Sequence, residues 1–416
     1  MGAVIPKGYK HTKVGLIPED WDVVKLGEVG KVVAGLTYSP ENIDKNGMLV
    51  LRSSNIQDRQ LSFDDNVYVN IDTLKFNPVK ENDILICVRN GSKSLIGKNA
   101  LINKQNEGVA FGAFMSVYRS KYNSFMFQVF DTNVYKREVH RNLGATINSI
   151  NGSDLKKFRI PFPPLKEQQK IAQVLTTWDD AISKHEALIK AKEQFKKGLM
   201  QKLLSGEVRF DGFDGEWEEV RLGDIASRIT TKNSNSSIDM IFSNSAVNGI
   251  VIQNEFFDKD IANRDNLKGY YVAKSGDFVY NPRISKYAPS GPINRNKYKF
   301  SGIVSPLYTV FRINDDEIID YLEYFFSSTL WFRYMNAIAN YGARHDRMNI
   351  TNGDFMKMPI PYPSKEEQQK IAQVLTQVDK EIDLLKNELE GLKVQKRGLM
   401  QKLLSGEVRT MNKGKE

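Results

Sequence analysis

Two stretches of the chain carry an apolar repeat that suits a long helix. Ile371, Val378, Leu385, Leu392 and Leu399 recur every seven residues, and Leu375, Ile382, Leu389, Lys396 and Leu403 form a second row in the same frame. Together they predict a heptad seam, nearly all apolar over five heptads, of the kind that pairs one helix with another. The same frame 200 residues earlier reads Ile171, Trp178, His185, Lys192, Leu199 and Leu175, Ile182, Ile189, Lys196, Leu203. Its middle is polar, and a polar seam residue fixes register and partner choice at a cost in stability. "IPFPP" and "IPYPS" precede the two stretches and predict extended chain, since proline pushes its predecessor out of the helical region. Gly206 and Gly406 follow them and suit C-terminal caps. The alternative, two separate amphipathic helices each packed on its own lobe, leaves roughly forty unbroken residues overshooting the side of a lobe.

Ahead of each helix the pattern changes. Strand-like runs such as "DILICV", "AFMSVYRS", "DFVY" and "SPLYTVFRI" alternate with turn signals, and helical runs follow at 125–141 and 318–339. Each lobe is therefore expected to be α/β or α+β. Trp178 and the aromatic-rich "YLEYFFSSTLWFRYM" (321–335) read as core or seam.

The two halves repeat one another. "EQQKIAQVLT" stands at 167–176 and at 367–376, and "GLMQKLLSGEVR" at 198–209 and at 398–409, both displaced by 200 residues. Weaker echoes continue upstream. "EDWDVVKLGEVGKV" (19–32) resembles "GEWEEVRLGDIASR" (215–228), and "ENDILICVRN" (81–90) resembles "SGDFVYNPRI" (275–284). Repeats at this scale dictate architecture. The expected division is a first lobe at 1–160, a helix at 161–209, a second lobe at 210–360, and a final helix and tail at 361–416. Gln168, Gln169, Lys170 and Gln173 lie off the strict seam, as do Gln368, Gln369, Lys370 and Gln373. A coiled coil requires no particular residue there, and the lobes have drifted apart while these positions have not. An exposed surface on which the same partner docks twice accounts for that.

Composition narrows the classes. The 416 residues contain no apolar run of about 18, so no membrane-spanning helix is expected. The start lacks the apolar stretch of a signal peptide, and the single cysteine, Cys87, allows no intrachain disulfide; a cytoplasmic protein is expected. The net charge is +9, distributed as +6, +3, −2 and +2 over the four segments. Nucleic acid is a plausible partner, but the second lobe must bind it through local clusters.

No catalytic constellation emerges. "GSKSLIGKNA" (91–100) misses a phosphate loop by one residue of spacing and has Asn99 where a magnesium-holding hydroxyl belongs. No Gly-x-Gly-x-x-Gly loop occurs, and "NPRI" (281–284) lacks the aromatic of an amino-methyltransferase motif. His11, His140, His185 and His345 are scattered, so no metal site is expected.

Recognition remains. Base readout uses Arg, Lys, Asn, Gln, Ser or Thr, usually from loops or helix ends on a rigid scaffold. In the first lobe "RNGSKSLIGK" places Arg89, Asn90, Ser92, Lys93 and Lys98 after a strand-like run, and "GATINS" supplies Thr146 and Asn148. The counterparts in the second lobe are "PRISKYAPSG", with Arg283, Lys286 and Tyr287, and "YGARHDRMN", with Arg344, His345, Arg347 and Asn349. Solvated loops with a few cations look similar when taken singly. Their matching places in both halves favour a binding role.

End to end, the chain resembles the specificity subunit of type I restriction–modification systems. "KVGLIPEDWDVVKLGEV" is similar to that family's opening, "RIPFPPLKEQQKIAQVL" and "MPIPYPSKEEQQKIAQVL" to its lobe-to-helix junctions, and "LMQKLLSGEVR" to its helix ending. The resemblance implies two target-recognition domains joined by two long helices that form an antiparallel coiled coil, with an internal pseudo-twofold repeat. It implies double-stranded DNA as ligand, two docked methyltransferase subunits, and nuclease subunits joining that core. No catalytic residue is implied in this chain, and no cofactor; S-adenosylmethionine, ATP and Mg2+ would belong to the partners. Forty helical residues reach roughly 60 Å, so the helices are expected to set the spacing between half-sites. The rival readings are a coiled-coil adaptor whose lobes bind proteins, and a DNA-binding protein without restriction partners.

Overall fold

The computed structural model describes residues 5–72, 75–143, 148–256, 264–340 and 346–411. The chain divides into two compact units, Met1–His185 with Glu388–Glu416, and Glu186–Asn387. Each unit thus holds one lobe, the first half of the helix that follows that lobe, and the second half of the other helix.

In the first unit the central element is a four-stranded antiparallel sheet, ordered Asn99–Leu101, Ile84–Cys87, Met115–Arg119, Lys31–Ala34. The second unit holds the same order built from Ile293–Arg295, Phe278–Tyr280, Thr309–Ile313 and Ala226–Ile229. The middle strands are apolar on both faces, and Ile84, Leu85, Val117, Phe278, Val279 and Phe311 are fully enclosed. In both sheets the turn into a middle strand is locked by a buried aspartate. Asp83 accepts from Lys80 N at 2.8 Å and pairs with Arg119 at 2.6 Å. Asp277 accepts from Lys274 N at 2.7 Å and pairs with Arg312 at 2.6 Å. The lobes are α+β, as expected.

The helical runs are shorter than their periodicity suggests. The one expected over 125–141 is two helices, Asn123–Val129 and Asn133–Asn142, because the Thr132 side chain accepts from Tyr135 N and starts a new helix. The one expected over 318–339 is Ile319–Ser327 and Phe332–Ile338, interrupted where the Ser328 hydroxyl donates to Phe325 O at 2.7 Å and accepts from Leu330 N at 3.2 Å. Tyr321, Leu322, Phe325, Phe326, Trp331 and Met335 are core, whereas Trp178 on the central helix is half-buried.

The long helices run without a break over Leu165–Leu204 and Lys365–Ser405. Gly206 and Gly406 end them in the left-handed region, at φ of 72° and 74°. Gly406 is also a close approach, since a Cβ there would lie 2.3 Å from Pro18 Cγ. Within each unit the two helix halves pack antiparallel. In the first unit Asp179 holds Lys396, and His185 lies 3.7 Å from Glu388. In the second, Asp379 holds Lys196 at 2.5 Å and Glu381 holds Lys192 at 2.9 Å. The polar seam positions are therefore met by acids of the opposing helix, and the Asp–Lys pairing is the same in both units.

The ends of the seam do not lie in a coiled coil at all. Ile171, Leu175, Leu403 and Leu404 join Trp21, Leu26, Phe158 and Ile160 in the core of the first unit. Ile371, Leu375, Leu203 and Leu204 join Leu222, Phe355 and Ile360 in the core of the second. Each lobe is thus completed by the beginning of one helix and the end of the other.

Candidate nucleic-acid interface

The two candidate loops of the first lobe meet along the backbone. Ile150 N donates to Val88 O at 2.8 Å and Asn90 N to Asn148 O at 3.2 Å, with Arg89 bridged antiparallel to Ser149. In the second lobe Met348 N donates to Pro282 O at 3.0 Å and Ile284 N to Asp346 O at 3.0 Å, with Arg283 bridged to Arg347. Val88 and Pro282, Arg89 and Arg283, and Asn90 and Ile284 are the equivalents that the repeat predicts, so the pairing register agrees in the two lobes. Each surface stands on the end of a buried strand, which fixes its backbone, while Arg89 and Arg283 face outward.

Side chains tie the first surface further. Asn90 donates to Ser53 Oγ at 3.0 Å and accepts from Ser92 N at 3.0 Å, Asn148 donates to Gly91 O at 2.8 Å, and Lys98 reaches Ser53 O at 3.4 Å. Asn90 and Asn148 therefore shape the loop. Arg89, Ser92 and Lys93 are exposed. The Arg89 guanidinium lies 5.6 Å from the centre of the Phe114 ring. On the second surface Arg283, Lys286 and Tyr287 are exposed, and Asn281 accepts from Arg283 N at 3.0 Å. Arg283 approaches Asp346 at 3.8 Å with both side chains open to solvent, a pairing that contributes little. Asn349 exchanges both backbone bonds with Asn340, leaving its side chain outward. Thr146, Arg344 and His345 lie outside the described residues.

Sequence reasoning missed Ser53, remote in sequence, and Phe114, apolar, on the first surface. Apart from that surface, the helix Asn133–Asn142 lines an open groove of about 750 Å³ with Asn133, Lys136, Arg137, His140 and Arg141. The basic spacing of "YKREVHR" was the available signal for the groove. Among the described residues no cluster of three or more metal-binding side chains occurs, and no helix is long and apolar enough to cross a membrane. Burial pushes the Cys87 thiol up to about 11, so it stays protonated at neutral pH.

The repeated helix phrases require a correction. Gln168 and Gln368 are buried, not presented to a partner; their amides donate to Pro163 O at 2.7 Å and Pro363 O at 2.8 Å, closing the prolyl hinge onto the first helical turn. The residues before them are buried acids. Glu167 accepts from Trp21 Nε1 at 3.0 Å and from Arg409 Nε and Nη2 at 2.8 Å each. Glu367 accepts from Trp217 Nε1 at 3.0 Å and from Arg209 Nε and Nη2 at 2.9 and 2.8 Å. The hydrogen bonds that the guanidinium groups donate to these carboxylates hold both arginine pKa values above the usual arginine range. "EQQ" and "GEVR" are thus kept together partly because the glutamate of one phrase needs the arginine of the other. Gln169, Lys170, Gln173, Gln369, Lys370 and Gln373 are exposed.

The chain thus carries two lobes of one architecture, each with a pair of backbone-joined loops at the end of a buried strand. The sequence profile of the family described as "Type I restriction modification DNA specificity domain" matches residues 18–193 and again 214–394, and the chain belongs to that family. It is 26% identical over 430 residues, 97% of each chain, to the "Putative type I restriction enzyme MjaX specificity subunit" of Methanocaldococcus jannaschii. It is 24% identical to the "Type I restriction enzyme EcoKI specificity subunit" of Escherichia coli K12, covering 94% of this chain and 89% of that one. The type I restriction–modification S subunit from M. genitalium shares the fold at a TM-score of 0.53 and 16% identity, over 92% of this chain and 96% of that one. A structure described as the basis of complex assembly and conformational transition of the type I R-M system does so at 0.54 and 16%, over 94% and 99%.

Proposed function

We propose that this specificity subunit reads an asymmetric, bipartite DNA site, one half per lobe, and docks two methyltransferase subunits that carry the chemistry. The observation that carries the reading is the shared register of the paired loops, 88–90 on 148–150 and 282–284 on 346–348. Two surfaces of one construction but different side chains are what a protein needs to read two different half-sites. Exposed Arg89 and Lys93 in one lobe, and exposed Arg283 and Lys286 with half-buried Arg347 in the other, supply donors for guanine edges and phosphates. Gln169, Lys170 and Gln173, with Gln369, Lys370 and Gln373, are the docking surface left once the buried glutamines are removed from it. Nuclease subunits join through the methyltransferases. S-adenosylmethionine, ATP and Mg2+ are bound by the partners, this chain is non-catalytic, and the assembly works in the cytoplasm.

The test is exchange of residues 210–360 for the equivalent lobe of a relative, followed by methylation mapping. One half of the recognised site should change while the other stays. Alteration of both halves, or of neither, would overturn the one-lobe, one-half-site reading.

A further inference from the structure

Each lobe presents a large apolar side chain at the third residue of the turn that leads into a middle strand of its sheet, a place where turn chemistry favours a polar one. In the first lobe a turn closes from Met115 N to Gly112 O at 2.8 Å, and its third residue, Phe114, is 57% exposed. In the second a turn closes from Tyr308 N to Ser305 O at 2.9 Å, and its third residue, Leu307, is 58% exposed. The strand registers make these equivalent. Val117 pairs with Leu85 and Val310 with Val279, equivalents in the repeat, and Phe114 and Leu307 each stand three residues before that pair, in the direction of Val88 and Pro282. Val88 and Pro282 are the residues immediately before Arg89 and Arg283. Contact is direct in the first lobe, where Phe114 O accepts from both Val88 N at 3.0 Å and Arg89 N at 3.1 Å.

Single exposed apolar residues are ordinary on protein surfaces. Two at the same turn position, in lobes whose turns otherwise differ ("GAFM" and "SPLY"), the first in contact with the arginine of a candidate base-reading surface and the second at the equivalent place, are not explained by chance exposure. Neither side chain serves the core of its lobe. In the major groove the one apolar feature of a base edge is the C5-methyl of thymine, and an arginine beside it matches guanine O6 and N7. The first lobe fits this further, because the cation–π contact between Arg89 and Phe114 holds the two groups side by side.

We infer that Phe114 and Leu307 are specificity residues, each contacting a thymine methyl group in the half-site read by its own lobe. The inference rests on the paired loops being the base-facing surface. A buried methyl group is worth about 0.8 kcal/mol, which is about fourfold in affinity. The experiment measures binding of the full chain to its target with each thymine replaced in turn by uracil, which deletes only that methyl. The wild-type chain should lose about fourfold at one thymine in each half. Phe114→Ala should abolish the sensitivity in the first lobe's half alone, and Leu307→Ala in the other half alone. Both variants should melt as the wild type does, since neither side chain is in the core. Arg89→Ala, run in parallel, separates the two levels. If Arg89→Ala changes base preference while uracil sensitivity is absent, or survives Phe114→Ala, the apolar contact is wrong and the surface stands. If neither Arg89→Ala nor Phe114→Ala alters binding, the surface and the contact fall together.

Discussion

Arg409→Ala should destabilise the first unit from four residues beyond the end of the C-terminal helix. Glu167 is 1% exposed and holds its charge with three donors, two of them from Arg409. Removing the guanidinium leaves a buried carboxylate with the Trp21 indole alone. Breaking a buried ion pair from one side costs about 3–5 kcal/mol. The Arg409 side chain is 28% exposed and its second carboxylate, Asp20, is 43% exposed, so water can enter the vacated space and the lower end applies, about 3 kcal/mol. For a unit of this size that is about 6–12 °C in melting temperature. Glu167→Gln removes the charge that Arg409 was neutralising, so the double variant should recover part of the loss, with a coupling energy of about 2 kcal/mol. The assay is urea and thermal unfolding of the four proteins of this cycle. A loss below about 1 kcal/mol for Arg409→Ala, with the two substitutions additive, would refute the reasoning and return the "GEVR" phrase to the surface.

Three further outcomes follow from the same contacts. Gln168→Glu or Gln368→Glu would bury an unpaired carboxylate against a proline carbonyl and should cost about 3 kcal/mol or more in urea unfolding, whereas joint replacement of Gln169, Gln173, Gln369 and Gln373 by Glu should leave melting unchanged and weaken the methyltransferase complex in native mass spectrometry. Asp379→Ala deprives both Lys196 and the Tyr324 hydroxyl, which donates to Asp379 at 2.8 Å, and should cost about 1–3 kcal/mol in urea unfolding, while replacing Lys196 and Asp379 together by leucine should recover only the part of that loss due to the unpaired lysine. Arg89→Ala should cost roughly 1–3 kcal/mol in DNA binding and relax one base position, against Lys93→Ala, which should weaken all sequences alike and lower the salt slope by about one, as read in titrations at several salt concentrations.

Much of this protein is local physics and is legible without coordinates. The prolines at 161–164 and 361–363 start the helices where they are seen, and Gly206 and Gly406 end them. The apolar runs "DILICV" and "DFVY" lie in the middle of their sheets, and the polar loops after them hold the exposed arginines. Where local pattern misleads, the cause is again local: Thr132 and Ser328 offer side-chain oxygens to the backbone and split helices that periodicity alone would continue.

Sequence alone determined the twofold repetition, the long helices, the class of the lobes, and the strand ends from which recognition is expected, because each follows from spacing over neighbouring residues. Tertiary structure alone decided which polar residues are inside. Glu167 meets Arg409 across 242 positions and Glu367 meets Arg209 across 158, so the glutamines beside them are sealed in and only part of the repeated helix face stays exposed. It also set Phe114 beside Arg89 and gave the end of each helix to the core of the unit opposite its own lobe in sequence. Periodicity reports which face of an element is apolar; it carries no information about the distant chain that covers that face, and burial of a charge depends entirely on that chain.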